Sequence, residues 1–423
     1  MVRLALRIGV AGILAAAFFA WGIVAQKNDV FPWPQLKRLT NPEHHRPREL
    51  VESRSPRTAE ALAALPYAQA TADINTHLRD VLTFDEERAF PGFNFYSSRT
   101  AEAARLIAMD GTTVHEWSYD TRGEWMSTVL QPNGDLFAIV EDRQLICLDA
   151  DSNLLWAWDG RAHHDVAVHD GEIHVLSRRE RIVPAIHAER ETLEDTVIVL
   201  SMDGAVLREY SVLDAVSRSP HGYLIPWLED VDLHVKGRPT GKPLDVMHVN
   251  SIEIFDGSLG DRSPLFARGN LLMASRHINA VFILDGDTHD VLWLWGPMNI
   301  ALPHHPTLLP EGRVLLFDNG LRESRVLEVD PADNRVVWRF REKGFFTRSR
   351  GGAQRLPNGN TLVTESDPGY AFEVTPQGEV VWKFANPDVS DDDKRSAIWR
   401  MIRFAPGTLT FLEEGLDPVS GGM

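Results

Sequence analysis

The sequence predicts an all-β chain whose bulk closes into a six-bladed β-propeller, preceded by a transmembrane or signal segment and a short helical linker. Three observations carry this. From about residue 90 the chain is a run of short apolar stretches separated by Gly, Asn, Asp and Pro, the texture of strands joined by tight turns. Six stretches share one pattern: a strand, a polar turn, and a strand ending in a large aromatic seven or eight residues after an Asp or Thr. The chain also holds 12 tryptophans against 6 tyrosines, and most of the pattern's aromatics are tryptophan.

The elements follow in chain order. Residues 1–30 read as a membrane anchor or signal segment. Arg3 and Arg7 precede 18 uncharged residues from Ile8 to Ala25, nearly enough to cross a core of ~30 Å at ~1.5 Å per residue. Ile23-Val24-Ala25 makes a poor cleavage site, which favours an anchor over a cleaved signal. Either way the arginines stay cytoplasmic. The bulk is expected on the periplasmic side of the inner membrane, anchored, or secreted if the segment is cut. Residues 31–90 form a tether. Phe31-Pro32-Trp33-Pro34 is extended, and the alanine-rich stretch Arg57 to Leu82, broken by Pro66, predicts two short helices.

Residues 91–415 hold the repeat. Its aromatics are Trp117, Trp156, Tyr210, Trp293, Trp338 and Trp382, spaced 39, 54, 83, 45 and 44 residues apart. Hairpin turns such as Gln131-Pro132-Asn133-Gly134 and Pro357-Asn358-Gly359 supply two more strands per unit. Four strands in ~40–45 residues mark a propeller blade, and stacking the blades supplies the core that one blade lacks. The 83-residue gap contains Ser217 to Lys242, expected as a loop over one mouth of the channel. Ring closure is expected from Ile398 to Phe404, then Leu409 to Leu412, joining the blade begun near Phe93. Length alone, at ~150 residues per domain, would suggest about three domains; the repeat makes most of the chain one.

The strand before each Gly turn should line the axis. Counting back seven from Gly171 and Gly312 gives His164 and His305, and the corresponding strand of the insertion-bearing blade contains Asp245 to Ser251, with His248 and Asn250. Three histidines are thus expected to converge. Arg276 and Arg325 open or flank neighbouring strands, and an arginine beside neutral imidazoles suits a tetrahedral oxyanion.

At these residues the chain resembles the bacterial arylsulfotransferases, which use no carrier nucleotide. The likeness rests on Asp245-x-x-His248-x-Asn250-Ser251, on His305 with Leu309-Pro310-x-Gly312 and Phe317-Asp318-Asn319-Gly320, on Ser324-Arg325, and on Gln354-Arg355-Leu356-Pro357-Asn358-Gly359-Asn360. It spans about residues 90 to 405. The resemblance implies ping-pong sulfuryl transfer from an aromatic sulfate ester to a phenol through a covalent histidine adduct, with His248, His305 and Arg325 as catalytic residues. Asn250, Arg276, Arg348, Arg350 and His164 are expected to bind substrate. One departure stands out: the family's nucleophile lies in a later blade, and this chain has no histidine after His305. Either His305 or His248 takes that role, or the protein is a non-catalytic propeller whose Arg348 and Arg350 keep an anion site. A propeller holding a quinone is a distant third reading.

Composition narrows the rest. A formal charge of -17 disfavours nucleic acid. The single cysteine, Cys147, rules out an internal disulfide and a zinc site of several thiolates. No metal and no cofactor are expected.

Overall fold

A computed structural model describes residues 77–228, 243–390, 393–412 and 416–421. The predicted segment 1–30, the tether up to residue 76 and residues 229–242 of the long insertion lie outside the described residues. Among those described, no helix is long and apolar enough to cross a membrane.

Six antiparallel sheets form the blades of the propeller. The second blade is β5 (Trp125–Leu130), β6 (Leu136–Val140), β7 (Gln144–Leu148) and β8 (Leu154–Trp158). The third is β9 (Ala162–His169), β10 (Glu172–Ile182), β11 (Glu191–Ser201) and β12 (Val206–Ser211), joined by the short β13 (Leu244–Asp245) parallel to β11. The fourth is β14 (Val249–Ile254), β15 (Leu271–Ser275), β16 (Ala280–Leu284) and β17 (Val291–Trp295). The fifth is β18 (His304–Leu308), β19 (Val314–Asp318), β20 (Arg325–Asp330) and β21 (Arg335–Phe340). The sixth is β22 (Gly352–Arg355), β23 (Thr361–Glu365), β24 (Tyr370–Val374) and β25 (Val380–Ala385), with β1 (Asp80–Phe84) as a fifth, outer strand. The first blade is β2 (Phe93–Ser98), β3 (Ala103–Ile107) and β4 (Thr113–Ser118), and its innermost strand comes from the other end of the repeat: β26 (Ile398–Phe404) pairs with β2, Phe404 opposite Phe93. The innermost strands β26, β5, β9, β14, β18 and β22 touch in sequence around the axis.

Six apolar clusters fill the six spaces between successive blades. Each takes one of the repeat aromatics, and each aromatic reaches into the next blade. The indole N–H groups of Trp117, Trp156, Trp338 and Trp382 donate to the carbonyls of Gly134, Met202, Pro376 and Met109, and that of Trp293 donates to Asn334 Oδ1, at 2.8–3.0 Å. Tyr210 instead stacks on His289 of the fourth blade, with ring centroids 3.9 Å apart. Every blade therefore grips its successor through the same outer strand.

Five expectations need correction. The predicted helix does not extend to Leu82: Asp80, Val81, Thr83 and Phe84 pair in β1 with the free edge of β25, Leu82 lying at a bulge between them, and this extended segment satisfies backbone groups that a helix would leave open. The propeller consequently begins at residue 80, not 91. It also runs past residue 415, because Met109 and Asp110 donate backbone N–H groups to Pro418 and Val419. Residues 409–412 form a turn rather than a strand; Leu409 is buried with Phe93 and Trp117, so its apolar character serves packing. The insertion is not all loop: α1 (Val212–Arg218), which starts at Ser211, whose Oγ accepts from the Asp214 N–H, runs into its first two residues, and a single 3-10 turn follows at Gly222–Leu224.

Candidate active site

The inner strands do not run straight into the axis. His164, His248 and His305 have φ of 58°, 54° and 45°, the left-handed region, and the strand pairing slips beside each of them. A non-glycine residue there costs about 1 kcal/mol or more, and such strain persists where surrounding structure enforces it, often at functional sites. Each bulge turns one imidazole out of the regular alternation.

His164 and His248 meet edge to face, with centroids 4.7 Å apart, and His248 meets His277 at 4.7 Å. Asp245, three residues before His248, braces both partners of that second pair. It accepts from His248 Nδ1 at 2.5 Å, and its backbone carbonyl accepts from His277 Nδ1 at 3.0 Å. Burial opposes ionisation of Asp245, but the two imidazoles outweigh it and hold the carboxyl well below its ordinary range. The tautomers follow. His248 carries its proton on Nδ1 and presents a lone pair at Nε2. His277 does likewise, but Arg276 Nη1 donates to its Nε2 at 3.2 Å. Burial pushes the His248 imidazole down to about 4 against the pull of Asp245, so it is neutral at pH 7. Its side chain keeps 19% of its surface exposed, enough for a ligand to reach. The ligating atoms of Asp245, His248 and His277 lie within 4.8 Å of one another, a spacing compatible with a cation; in the structure these groups bond to each other.

Behind His164 stands His163, fully buried. Its Nε2 donates to the Ser177 carbonyl at 3.0 Å and lies 3.4 Å from Asp195 Oδ1. Its Nδ1 is then an acceptor, so the 2.9 Å contact to His164 Nδ1 is a bond donated by His164. His164 is left, like His248, with an unbonded Nε2. Burial holds both imidazoles well below their ordinary range.

Cations border the cluster. Arg178 is buried on β10, with Nη2 3.4 Å from His164 Nδ1. Arg276 lies beside His277 and, after burial, is the main cause that holds His304 down to about 3. The Arg350 guanidinium sits 5.0 Å over the Trp399 ring, which also packs against His164 at 5.9 Å. Below them Asp165 ties four inner strands together, accepting from Arg400 Nη1 and Nη2, the Ile252 N–H and Ser127 Oγ at 3.1–3.4 Å.

The remaining expected residues are placed otherwise. His305 is buried, accepts the Ala353 N–H at Nδ1 and faces Thr307, Gln354 and Arg355 around a separate cavity of about 670 Å³. It is its neighbour His304 that shares the electrostatic field of His248. His304 is fully engaged: Nδ1 donates to Asn319 Oδ1 at 2.6 Å and Nε2 accepts the Arg350 N–H at 3.3 Å. Asn250 is buried and donates to the Pro303 carbonyl, linking blades. Arg325 is bound by Asp318 and the Asn299 carbonyl. The backbones of Arg348 and Ser349 are held by Asp367, and the Arg348 guanidinium has no partner among the described residues. His163, Asp195, His277, His304, Arg178 and Trp399 are not among the residues the sequence points to. The His163-His164 and His304-His305 pairs were a visible signal; Asp195 had none.

The sequence model of the arylsulfotransferase (ASST) family matches residues 142–387, more than half of the chain. No curated protein matches it. Among solved structures, a protein of unknown function from Bacteroides caccae is 15% identical with a TM-score of 0.49, covering 74% of this chain and 99% of its own. A streptogramin B lyase is 10% identical with a TM-score of 0.44, over 77% and 93%. A virginiamycin B lyase from Staphylococcus aureus is 11% identical with a TM-score of 0.37, over 64% and 72%. The family match falls on the blades that carry His163, His164, Asp245, His248, His277 and His304, and by it the chain belongs to the arylsulfotransferase family.

Proposed function

We propose that the protein transfers a sulfuryl group from a phenolic sulfate ester to a phenol, without a nucleotide donor, and that His248 Nε2 is the nucleophile. The observation that supports this best is the Asp245–His248 pair. A carboxylate on Nδ1–H fixes the tautomer, leaves the Nε2 lone pair free and stabilises charge that develops on the ring. Attack on sulfur forms an N–S bond, and the S–O(aryl) bond breaks with its electron pair going to the phenolate. The acceptor phenol then attacks sulfur, and the N–S bond breaks back to nitrogen. Arg178 and Arg276 suit the charge spread over the sulfuryl oxygens. Trp399, with Arg350 stacked on it, offers an aromatic wall for the phenol ring.

The same reading places the propeller on the periplasmic side of the membrane, tethered through residues 1–30. A reporter fused after residue 421 and active only in the cytoplasm would contradict that.

A fluorogenic aryl sulfate and a phenol acceptor test the chemistry. Turnover is expected, with a sulfuryl adduct seen by intact mass when acceptor is omitted. His248→Ala should abolish the adduct. Asp245→Asn should lower kcat by ~10²–10⁴, as loss of a tautomer-fixing carboxylate does. An adduct that survives His248→Ala sinks the assignment. The lack of any histidine after His305 favours a second reading, an anion-binding propeller; it would bind the ester with neither turnover nor adduct.

A further inference from the structure

The reaction just proposed needs a proton at two moments: one for the departing phenolate, and one removed from the acceptor phenol. His164 stands against the nucleophile with its Nε2 unbonded, but burial keeps it from holding a positive charge. A lone imidazole so placed is a poor acid and a poor base. Its surroundings supply an answer that keeps every ring neutral.

His164 Nδ1 donates to His163 Nδ1 at 2.9 Å, and His163 Nε2 lies 3.4 Å from Asp195 Oδ1. Asp195, on β11 of the third blade, is 2% exposed, and His163 is completely buried. The three groups lie in a line from the blade interior to the axis, and the His163 Nε2–H, which donates to the Ser177 carbonyl at 3.0 Å, rests beside Asp195 Oδ1. We propose that Asp195, His163 and His164 are a proton relay that serves both half-reactions, with Asp195 and His163 acting through His164; this rests on the sulfuryl-transfer reading above.

In the loaded form Asp195 is a carboxylic acid, His163 carries its proton on Nδ1 and His164 on Nε2. When the S–O(aryl) bond breaks, His164 gives its Nε2 proton to the phenolate oxygen. His163 gives its Nδ1 proton to His164 Nδ1, and Asp195 gives its proton to His163 Nε2. Asp195 is left as a carboxylate, and the two imidazoles have exchanged tautomers without gaining charge. The two imidazole tautomers of this unloaded form are those read from the structure, where His163 Nε2–H rests on the Ser177 carbonyl beside Asp195. The acceptor phenol reverses each transfer as its oxygen bonds to sulfur and the N–S bond of His248 breaks. One proton is delivered and one returned per cycle.

The groups around Asp195 suit a store that must exist in both forms. The Val249 N–H donates to its Oδ2 at 3.0 Å and Arg178 favours the carboxylate, while burial, Asp245 and Asp142 favour the acid. Together they push Asp195 up to about 7. The Val249 bond also ties the store to the residue that follows His248.

The test is single-turnover release of phenol from the full chain without acceptor, using two donors: the sulfate ester of unsubstituted phenol and that of an electron-poor nitrophenol. The nitrophenolate leaves without protonation, whereas phenolate is a strong base. Asp195→Asn keeps an oxygen for the Val249 N–H but cannot cycle a proton. It should slow release from the phenyl ester by ~10² or more and from the nitrophenyl ester by less than about tenfold, with half-saturation concentrations unchanged. The wild-type rate on the phenyl ester should fall as pH rises through about 7, and the variant's should not. His163→Gln, which breaks the line at its middle, should reproduce the split between donors, and serves if Asp195→Asn does not fold. Equal loss on both donors, or no loss on either, overturns the relay while leaving the adduct chemistry standing. If the wild type forms no adduct with either donor, the sulfuryl-transfer reading itself has failed, and the relay with it.

Discussion

At the scale of single residues, burial keeps imidazoles neutral at the site and elsewhere in the blades, and that has a measurable cost. His248 and His174 are pushed down to about 4 and His304 to about 3, while His163, His164 and His305 also lie well below the ordinary 6.5. Between about pH 4 and 6.5 the unfolded chain takes up protons at these positions that the folded chain refuses. Stability must then fall as pH falls, by up to ~1.4 kcal/mol per pH unit for each histidine. Asp195 and Glu253 have the opposite sign: raised to about 7 and about 8, they bind protons in the folded state first, and their contribution is lost as pH rises through those values. Six histidines outweigh two acids on the acid side. The urea midpoint should drop steeply between pH 6.5 and 5, and a flat or rising midpoint there would show that the histidines accept protons in place. Much of this cluster was legible in advance. Asp245-x-x-His248 is a local pattern, and counting back from the hairpin glycine found His164. The same count gives His305, whereas it is His304 that shares the electrostatic field of His248, because a left-handed residue at a bulge breaks the alternation on which counting depends. Asp195 left no trace, since it meets Val249 from 54 positions away.

At the scale of elements, the outer aromatic strands hold the ring together, and they differ in how much each bond is worth. Trp382 is fully buried between the sixth and first blades, donates to the Met109 carbonyl and lies under the Arg403 guanidinium, which is itself buried and paired with Glu373. Trp382→Phe keeps most of the ring but strands a buried carbonyl, so it should cost ~1–3 kcal/mol. Trp338 makes the same bond to Pro376 at a more exposed place, where water can replace the indole. Trp338→Phe should cost less than about 1 kcal/mol. Denaturant midpoints of the two variants compare the pair directly, and equal losses would contradict this ranking. The repeat was readable because each unit spends a large aromatic at a fixed distance from a turn. The strand β1 was not, because a lone edge strand following an alanine-rich stretch carries no repeat of its own and is defined only by the partner it finds.

At the scale of the whole propeller, closure and chemistry share one strand. β26 completes the first blade from the far end of the chain, and the same strand brings Trp399 against His164 and Arg400 onto Asp165. Without it β2 has an unpaired inner edge, the innermost strands no longer form a ring, and the apolar slab between the sixth and first blades loses Ile398 and Met401. The tail beyond it does less: it buries Leu409, covers Trp117 with Phe411 and accepts the Met109 and Asp110 N–H groups, but among the described residues it forms no strand with the sheet. Two shortened chains separate these roles. A chain ending at Phe404 should keep one cooperative unfolding transition, destabilised by ~3–5 kcal/mol for the lost packing, and should keep its ligand site. A chain ending at Ala397 should lose cooperative unfolding and ligand binding together, since the element that shuts the ring also carries one wall of the site. Retention of cooperative unfolding by the shorter chain would mean that five complete blades and three strands of the first are stable unclosed, and that β26 is present for the site alone.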